Sequence, residues 1–312
     1  KAKQPDYSAN GIGGDTDARY PTNQGVDEWY GILRSSDRAF WQNSSSYDPD
    51  SHSDLGYVHI MAASRIKTPQ KLAVYDRSKR RSIDRDITDK AINFIKQKAN
   101  KQQSFFSFIS YTKTHEPVDP HPKFRGKIKN GDFADVLAQT DAYVGELLGT
   151  IDEIGIRDRT IFILASHNGR EGVPRSFGFT GPWRGRMFPP YEGSLRVPFL
   201  IRWPGKIPKN QVSNQIFHQI DLFPTLVSFV NAKLPRDRII DGRDQSFFLK
   251  GKTDHSARDP MVIYIRNELF GAKWRNWKIL IKQMSDDGYG VKKMAYTSIY
   301  NLIVILKRKC QS

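Results

Sequence analysis

Apolar positions along the chain follow two periods, and the order in which they alternate predicts an α/β architecture. Over residues 132–154, Phe133, Val136, Leu137, Tyr143, Val144, Leu147, Leu148, Ile151 and Ile154 recur at helical spacing, and Gly155 stands where a C-terminal cap belongs. A second amphipathic helix is predicted over residues 88–101 from Ala91, Ile92, Phe94, Ile95 and Ala99, with Asp86 and Thr88 as candidate N-caps. Continuous apolar runs at 104–111, 160–165 and 197–203 read as strands; the run at 160–165 has the composition of a strand covered on both faces in a parallel sheet. A helix is predicted from Asp221 to Val230, with Pro224 in its first turn. Residues 261–265, 269–274 and 277–282 then alternate with turns, as an antiparallel C-terminal subdomain does. The first 60 residues are rich in Gly, Asp, Ser and Asn, which predicts long loops and short strands.

Composition narrows the class. An apolar fraction of 38% over 312 residues can fill a core. No run approaches the roughly 20 apolar residues that a spanning helix needs, so no membrane span is expected. Lys and Arg outnumber Asp and Glu by 49 to 33, giving a formal charge of +16 that attracts polyanions and acidic surfaces. No nucleic-acid reader motif accompanies the charge, and nucleic acid is not expected as a partner. Cys310 is the one cysteine, so no internal disulfide forms. The sequence begins Lys-Ala-Lys without an initiator Met or an apolar signal region, from which a trimmed precursor or a fragment is expected.

Candidate chemistry sits at predicted strand ends, where open α/β sheets bind ligands. Ser166-His-Asn-Gly169 follows the strand at 160–165, and Tyr111-Thr-Lys-Thr-His-Glu-Pro117 follows the run at 104–111. Taken alone, the first is a turn or a site, and the second is an exposed loop or a general acid presented by His115. Further on stand Trp183-Arg-Gly-Arg-Met187, Tyr191-Glu-Gly-Ser-Leu-Arg-Val-Pro198 and Gln219-Ile-Asp-Leu-Phe-Pro-Thr-Leu226. In that order and at that spacing, these blocks resemble the C-terminal half of the catalytic domain of sulfatases, in the arylsulfatase branch. The resemblance runs from about Gly25 to Leu302.

It implies an alkaline-phosphatase-like mixed sheet flanked by helices, with a smaller antiparallel C-terminal subdomain. Residues 1–235 then form the remainder of the catalytic α/β domain, and residues 236–312 form the subdomain. His115 matches the histidine that assists the leaving oxygen of the ester. His167 and Asn168 match an Asp-Asn pair that ligates Ca²⁺ in the family. His167 is the departure there, because an imidazole offers a nitrogen to an ion that prefers oxygen. The family's sulfate-binding Lys lies five residues before the Glu of Tyr-Glu-Gly, a position held here by Met187. Arg184 and Arg186 are the nearby cations that reach toward substrate in its place. The family's Gly-Lys-x-His-Leu-Gly motif falls on Ser8-Ala-Asn-Gly-Ile-Gly13, with Ala9 and Gly11 at the active-site positions.

Cys-x-Pro-x-Arg, the source of the formylglycine nucleophile, does not occur in these 312 residues, so no formylglycine is possible here. Thr180-Gly-Pro-Trp-Arg184 shares its spacing by coincidence. The segment that carries the nucleophile also supplies a central strand and two metal ligands, and a sheet without that strand has edges open to association. The resemblance therefore implies a protein related to sulfuric ester hydrolases that is inactive or impaired as written. Sulfated small molecules or polysaccharides are its expected partners, and secreted, periplasmic or lysosomal compartments are implied. Two alternatives stand beside this reading: a non-catalytic binder of sulfated polyanions or of a protein, and a phosphate-ester hydrolase of the same superfamily.

Overall fold

The computed structural model describes residues 20–33, 36, 57–65, 67–171 and 178–285. The chain divides into two units, Lys1–Gly155 and Ile156–Ser312. In the first, β1 (Glu28–Gly31), β2 (His59–Ser64) and β3 (Gln70–Val74) form an antiparallel sheet in that order. Ile60 of β2 packs with Tyr75 and with Ile83 from α1 (Arg77–Asn100), and Tyr30, Ile32, Val58 and Ile87 close around them. Two long helices, α1 and α2 (Gly131–Glu153), pack together in this unit. Arg85 reaches from one to the other and pairs with Glu146 at 2.7 Å.

α2 matches the predicted helix, and Gly155 follows its end at φ +74°, a conformation that glycine adopts without a Cβ penalty. α1 does not match its prediction. It begins 11 residues before Thr88, and its cap is Asp76, whose carboxylate accepts from the Lys79 amide at 2.8 Å. Asp86 and Thr88 lie inside the helix instead. The reason is chemical: the early part of α1 buries Arg80, Asp84 and Thr88, a polar stripe that apolar periodicity does not register. Residues 104–111 form no strand, and Phe106 and Phe108 are exposed. Among the described residues no strand pairs with this run, although Phe105 meets Phe94 of α1 edge to face at 5.7 Å and Tyr111 lies against Tyr143 of α2.

In the second unit, β4 (Phe162–Ala165) pairs with β5 (Phe199–Arg202). The pairing is antiparallel, Phe162 opposite Arg202, where the apolar run suggested a parallel neighbour. Around this pair lie α3 (Glu192–Leu195), α4 (Leu222–Phe229, with Pro224 in its first turn) and α5 (Ser246–Leu249). Trp203 meets Phe229 edge to face at 5.1 Å. The three predicted C-terminal strands are present as an antiparallel meander of β6 (Pro260–Ile265), β7 (Glu268–Trp274) and β8 (Trp277–Leu280).

Two buried carboxylates tie this unit together. Asp221, fully buried, accepts from Arg258, the Arg243 and His218 amides and Gln245, and these donors hold its pKa low against the opposing effect of burial. Glu192 of α3 accepts from Lys273 of β7 at 2.7 Å, Lys278 of β8 at 3.0 Å and Arg196 at 2.6 Å. Burial alone would raise its pKa, but Lys278, Lys273 and Arg196 together hold it at about 2. Lys278 is pulled below its ordinary range by burial, because Glu192 is already shared with two other cations. No helix among the described residues is long and apolar enough to cross a membrane.

Candidate active-site segments

In the first unit the buried polar stripe of α1 organises the loop that carries His115. Asp84 accepts from the Thr112 amide and hydroxyl, both at 2.9 Å, and from the Lys113 amide at 3.1 Å. One turn earlier on the same face, Arg80 donates to the His115 carbonyl at 2.7 Å and to the Pro117 carbonyl at 2.8 Å. Arg80 is fully buried, and its remaining donors reach the Tyr75 hydroxyl and the Ser36 carbonyl. Two side chains of one helix thus fix both ends of the segment 112–117.

The His115 ring places Nδ1 2.6 Å from the Glu116 carbonyl. A carbonyl only accepts, so Nδ1 is the protonated nitrogen of this contact. Sequence reading passed over Lys113, which is buried and donates through Nζ to the Arg80 carbonyl at 2.6 Å. Burial, opposed by Asp84 and reinforced by Arg80, pulls its pKa down to about 8.

In the second unit, β4 delivers Ser166, His167, Asn168 and Gly169 to a junction of three backbone segments. The Gly169 amide donates to the Ser194 carbonyl at 2.9 Å, the Gly193 amide to the Arg184 carbonyl at 2.8 Å, and the Met187 amide to the Arg170 carbonyl at 2.7 Å. The packing leaves no room for side chains at the crossings. A Cβ on Gly169 would lie 2.0 Å from the Gly193 carbonyl oxygen, and one on Gly193 would lie 2.3 Å from the Gly185 oxygen. The spaced glycines therefore draw the three sequence blocks against one another.

This junction treats the candidate residues differently. His167 is exposed, whereas Asn168 is half-buried and donates through Nδ2 to the Gly169 carbonyl at 2.7 Å. Arg184 is exposed, with its guanidinium 4.1 Å from the centre of the Tyr191 ring. Arg186 instead lines a cavity of about 330 Å³ together with Arg170, Phe179, Thr180, Gly181, Trp183 and Gly185. Burial, and then the charge of Arg186, lower the pKa of Arg170. Sequence reading did not single out Arg170; the available signal was a second arginine directly after Ser-His-Asn-Gly. Thr180 is a turn residue, its hydroxyl donating to the Trp183 carbonyl at 2.8 Å. Ala9, Gly11 and Cys310 lie outside the described residues.

The His167–Asn168 pair does not fit a hard divalent cation. His167 brings nitrogen, and the Asn168 amide is oriented by its bond to Gly169, which leaves that side chain one oxygen to offer. Among the described residues no group of three or more His, Cys, Asp or Glu side chains is arranged to hold a metal.

The arrangement of sheets, helices and C-terminal meander is the alkaline-phosphatase-like fold of sulfatases. The PsFucS1 sulfatase from Pseudoalteromonas sp. superposes with a TM-score of 0.80 at 22% identity, over 90% of this chain and 59% of that one. Sequence narrows the class further. A sulfatase family model matches residues 14–232, and a model described as N-sulphoglucosamine sulphohydrolase, C-terminal, matches residues 182–286. The N-acetylgalactosamine-6-O-sulfatase of Bacteroides thetaiotaomicron is 33% identical over 204 residues, covering 62% of this chain and 39% of that protein. The steryl-sulfatase of Rattus norvegicus is 31% identical over 201 residues, covering 62% of this chain and 34% of that protein. The chain belongs to the sulfatase family. It spans about two fifths or less of the length of these two relatives. Membership in the family generally implies a metal ion.

Proposed function

We propose that this chain is a sulfatase-family domain that grips sulfate esters but, as the 312-residue polypeptide, does not turn them over. The observation that carries this reading is the junction around Gly169, Gly185 and Gly193. It draws the three sequence blocks against one another, and the chemistry set on that junction is His167, Asn168 and Met187. A thioether at the position of an oxyanion-stabilising cation forfeits about 10²- to 10³-fold in rate. An exposed imidazole in place of an oxygen ligand disfavours Ca²⁺. In this reading Arg186 supplies positive charge toward the sulfate group, and Arg184 flanks it. Within the first unit, the family resemblance gives His115 the role of assisting a leaving oxygen. The catalytic-type domain extends to residue 235, and residues 236–312 support it through the pairing of Glu192 with Lys273 and Lys278.

The test is direct. The purified chain is incubated with 4-nitrocatechol sulfate, with and without added Ca²⁺, and released catechol is followed by absorbance while binding is followed by calorimetry. Binding without release is expected. Release at the rate of intact arylsulfatases overturns the proposal. A second reading, a binder of sulfated polyanions, is favoured by the gathering of Arg170 and Arg186 at one cavity.

A further inference from the structure

The C-terminal meander is apolar on both of its faces. Alternate positions of each strand share a face, and an antiparallel sheet with one face in water sets polar residues there. One face of β6, β7 and β8 carries the buried Ile263 together with Lys273 and Lys278, which pair with Glu192 of α3. On the other, the register sets Trp274 opposite Trp277, Ala272 between Val262 and Ile279, and Tyr264 opposite Leu269. No outward position of the three strands carries a charge.

This outward face is open to solvent. Val262, Tyr264, Leu269, Trp274, Trp277 and Ile279 are each between 37% and 63% exposed. Three aromatic and three aliphatic side chains at about half exposure present on the order of 500 Å² of contiguous apolar surface, the upper end of what a monomer shows. Two such faces laid together remove on the order of 1,000 Å² from water, the lower bound for a specific interface, before the rim is counted. The rim charges are already paired. Asp259 meets Arg275 at 3.1 Å at one end of the strands, and Glu268 meets Lys282 at 2.7 Å at the other. Arg266, in the β6–β7 turn, adds one exposed cation. On a chain of formal charge +16 this near-neutral region lets two copies approach with little repulsion. Among the described residues beside it there is no cluster of lysines and arginines by which an anionic bilayer would hold a protein.

We infer that the outward face of β6, β7 and β8 is a self-association surface, covered in solution by the same face of a second copy of this chain. A twofold axis satisfies it, since one apolar patch then serves both copies. The two sheets pack face to face about 10 Å apart, with their strands within about 30° of each other, as in a β-sandwich. Trp274 and Trp277 supply the largest side chains to the contact, and Val262, Ala272 and Ile279 form the row at its centre. With an area at the lower bound, the dimer dissociates on dilution. Association through this face is independent of the ester grip proposed above, and each stands if the other fails.

Sedimentation equilibrium on the full 312-residue chain, from about 1 μM to about 200 μM, measures the dimer dissociation constant. Val262→Lys and Ile279→Lys each set an ammonium at the centre of the face, and Phe247→Lys places one on an exposed apolar residue of α5 as the control. Thermal melts establish that each variant is folded. The expected result is a wild-type monomer–dimer equilibrium that added sodium sulfate leaves intact or tightens, a dissociation constant raised about tenfold or more in V262K and in I279K, and no change in F247K. A wild type that stays monomeric over the whole range overturns the inference and leaves the face to another part of the same chain or to a different partner. A dimer that V262K and I279K leave as tight as wild type also overturns it, because the contact then lies elsewhere, as at an open sheet edge. Equal weakening by F247K signifies unspecific apolar association and has the same force. Where a lysine variant fails to fold, Val262→Thr and Ile279→Thr replace it, and dimers as tight as wild type in both overturn the inference.

Discussion

Replacing Glu192 by glutamine removes the negative charge that holds α3 to the C-terminal meander and leaves three cations around a neutral amide. The Glu192 side chain is 16% exposed, and those of Lys273 and Lys278 are 13% and 12% exposed, so water screens the cluster weakly. Holding this carboxyl at about 2, against an ordinary 4.5, corresponds to about 3 kcal/mol of stabilisation at neutral pH. Breaking a buried ion pair by removing one partner costs about 3–5 kcal/mol in general, a range that agrees. For a unit of this size about 2–4 °C of melting temperature accompanies each kcal/mol, so E192Q is expected to melt about 6–12 °C lower at pH 7. Folding lowers this pKa. The stabilisation is therefore complete above pH 4.5 and is lost as the pH falls through about 2, and wild type and E192Q should converge there. Calorimetric melts at pH 7, 4 and 2 measure the difference. An E192Q melt within 2 °C of wild type at pH 7, or an equal gap at pH 7 and pH 2, refutes the reasoning.

Two further perturbations probe the candidate segments, one in each unit. Lys113 titrates near 8 in the folded chain against an ordinary 10.5, so its contribution to stability is absent below pH 8 and complete above pH 10.5, a gain of up to about 3 kcal/mol. Urea unfolding between pH 7 and 10.5 should show this rise in wild type and lose it in Lys113→Met; equal slopes count against the assignment. Gly193→Ala forces a Cβ to 2.3 Å from the Gly185 oxygen and should cost at least about 2 kcal/mol, with loss of amide-exchange protection at Gly169 and Gly193. An alanine variant as stable as wild type would mean that the three segments are not in close contact.

Much of the architecture is readable from apolar spacing where one face of an element is apolar and the other polar. That condition holds for α2, α4 and the three C-terminal strands, and their predicted positions agree with the structure. It fails for the first half of α1, whose buried residues are Arg80, Asp84 and Thr88 with Ile83 as the one apolar member. It fails differently at β4, where an apolar run identifies a strand but carries no information on the direction of its neighbour. At the candidate site, motif spacing locates His115, His167, Asn168, Arg184 and Arg186 along the chain. It does not separate Arg184, stacked on Tyr191, from Arg186 in the cavity, because both are arginines two positions apart on an irregular segment.

Family membership and the approximate positions of the elements follow from sequence alone, because glycine and strand-end spacings impose local backbone geometry that survives substitution of the chemistry around it. Which charges meet was decided by tertiary structure. Lys273 and Lys278 lie 81 and 86 positions from Glu192, and Arg170 reaches Arg186's cavity from the far side of a β4 turn. Such pairings depend on how packed elements align side chains across long chain separations, and no local pattern encodes that alignment.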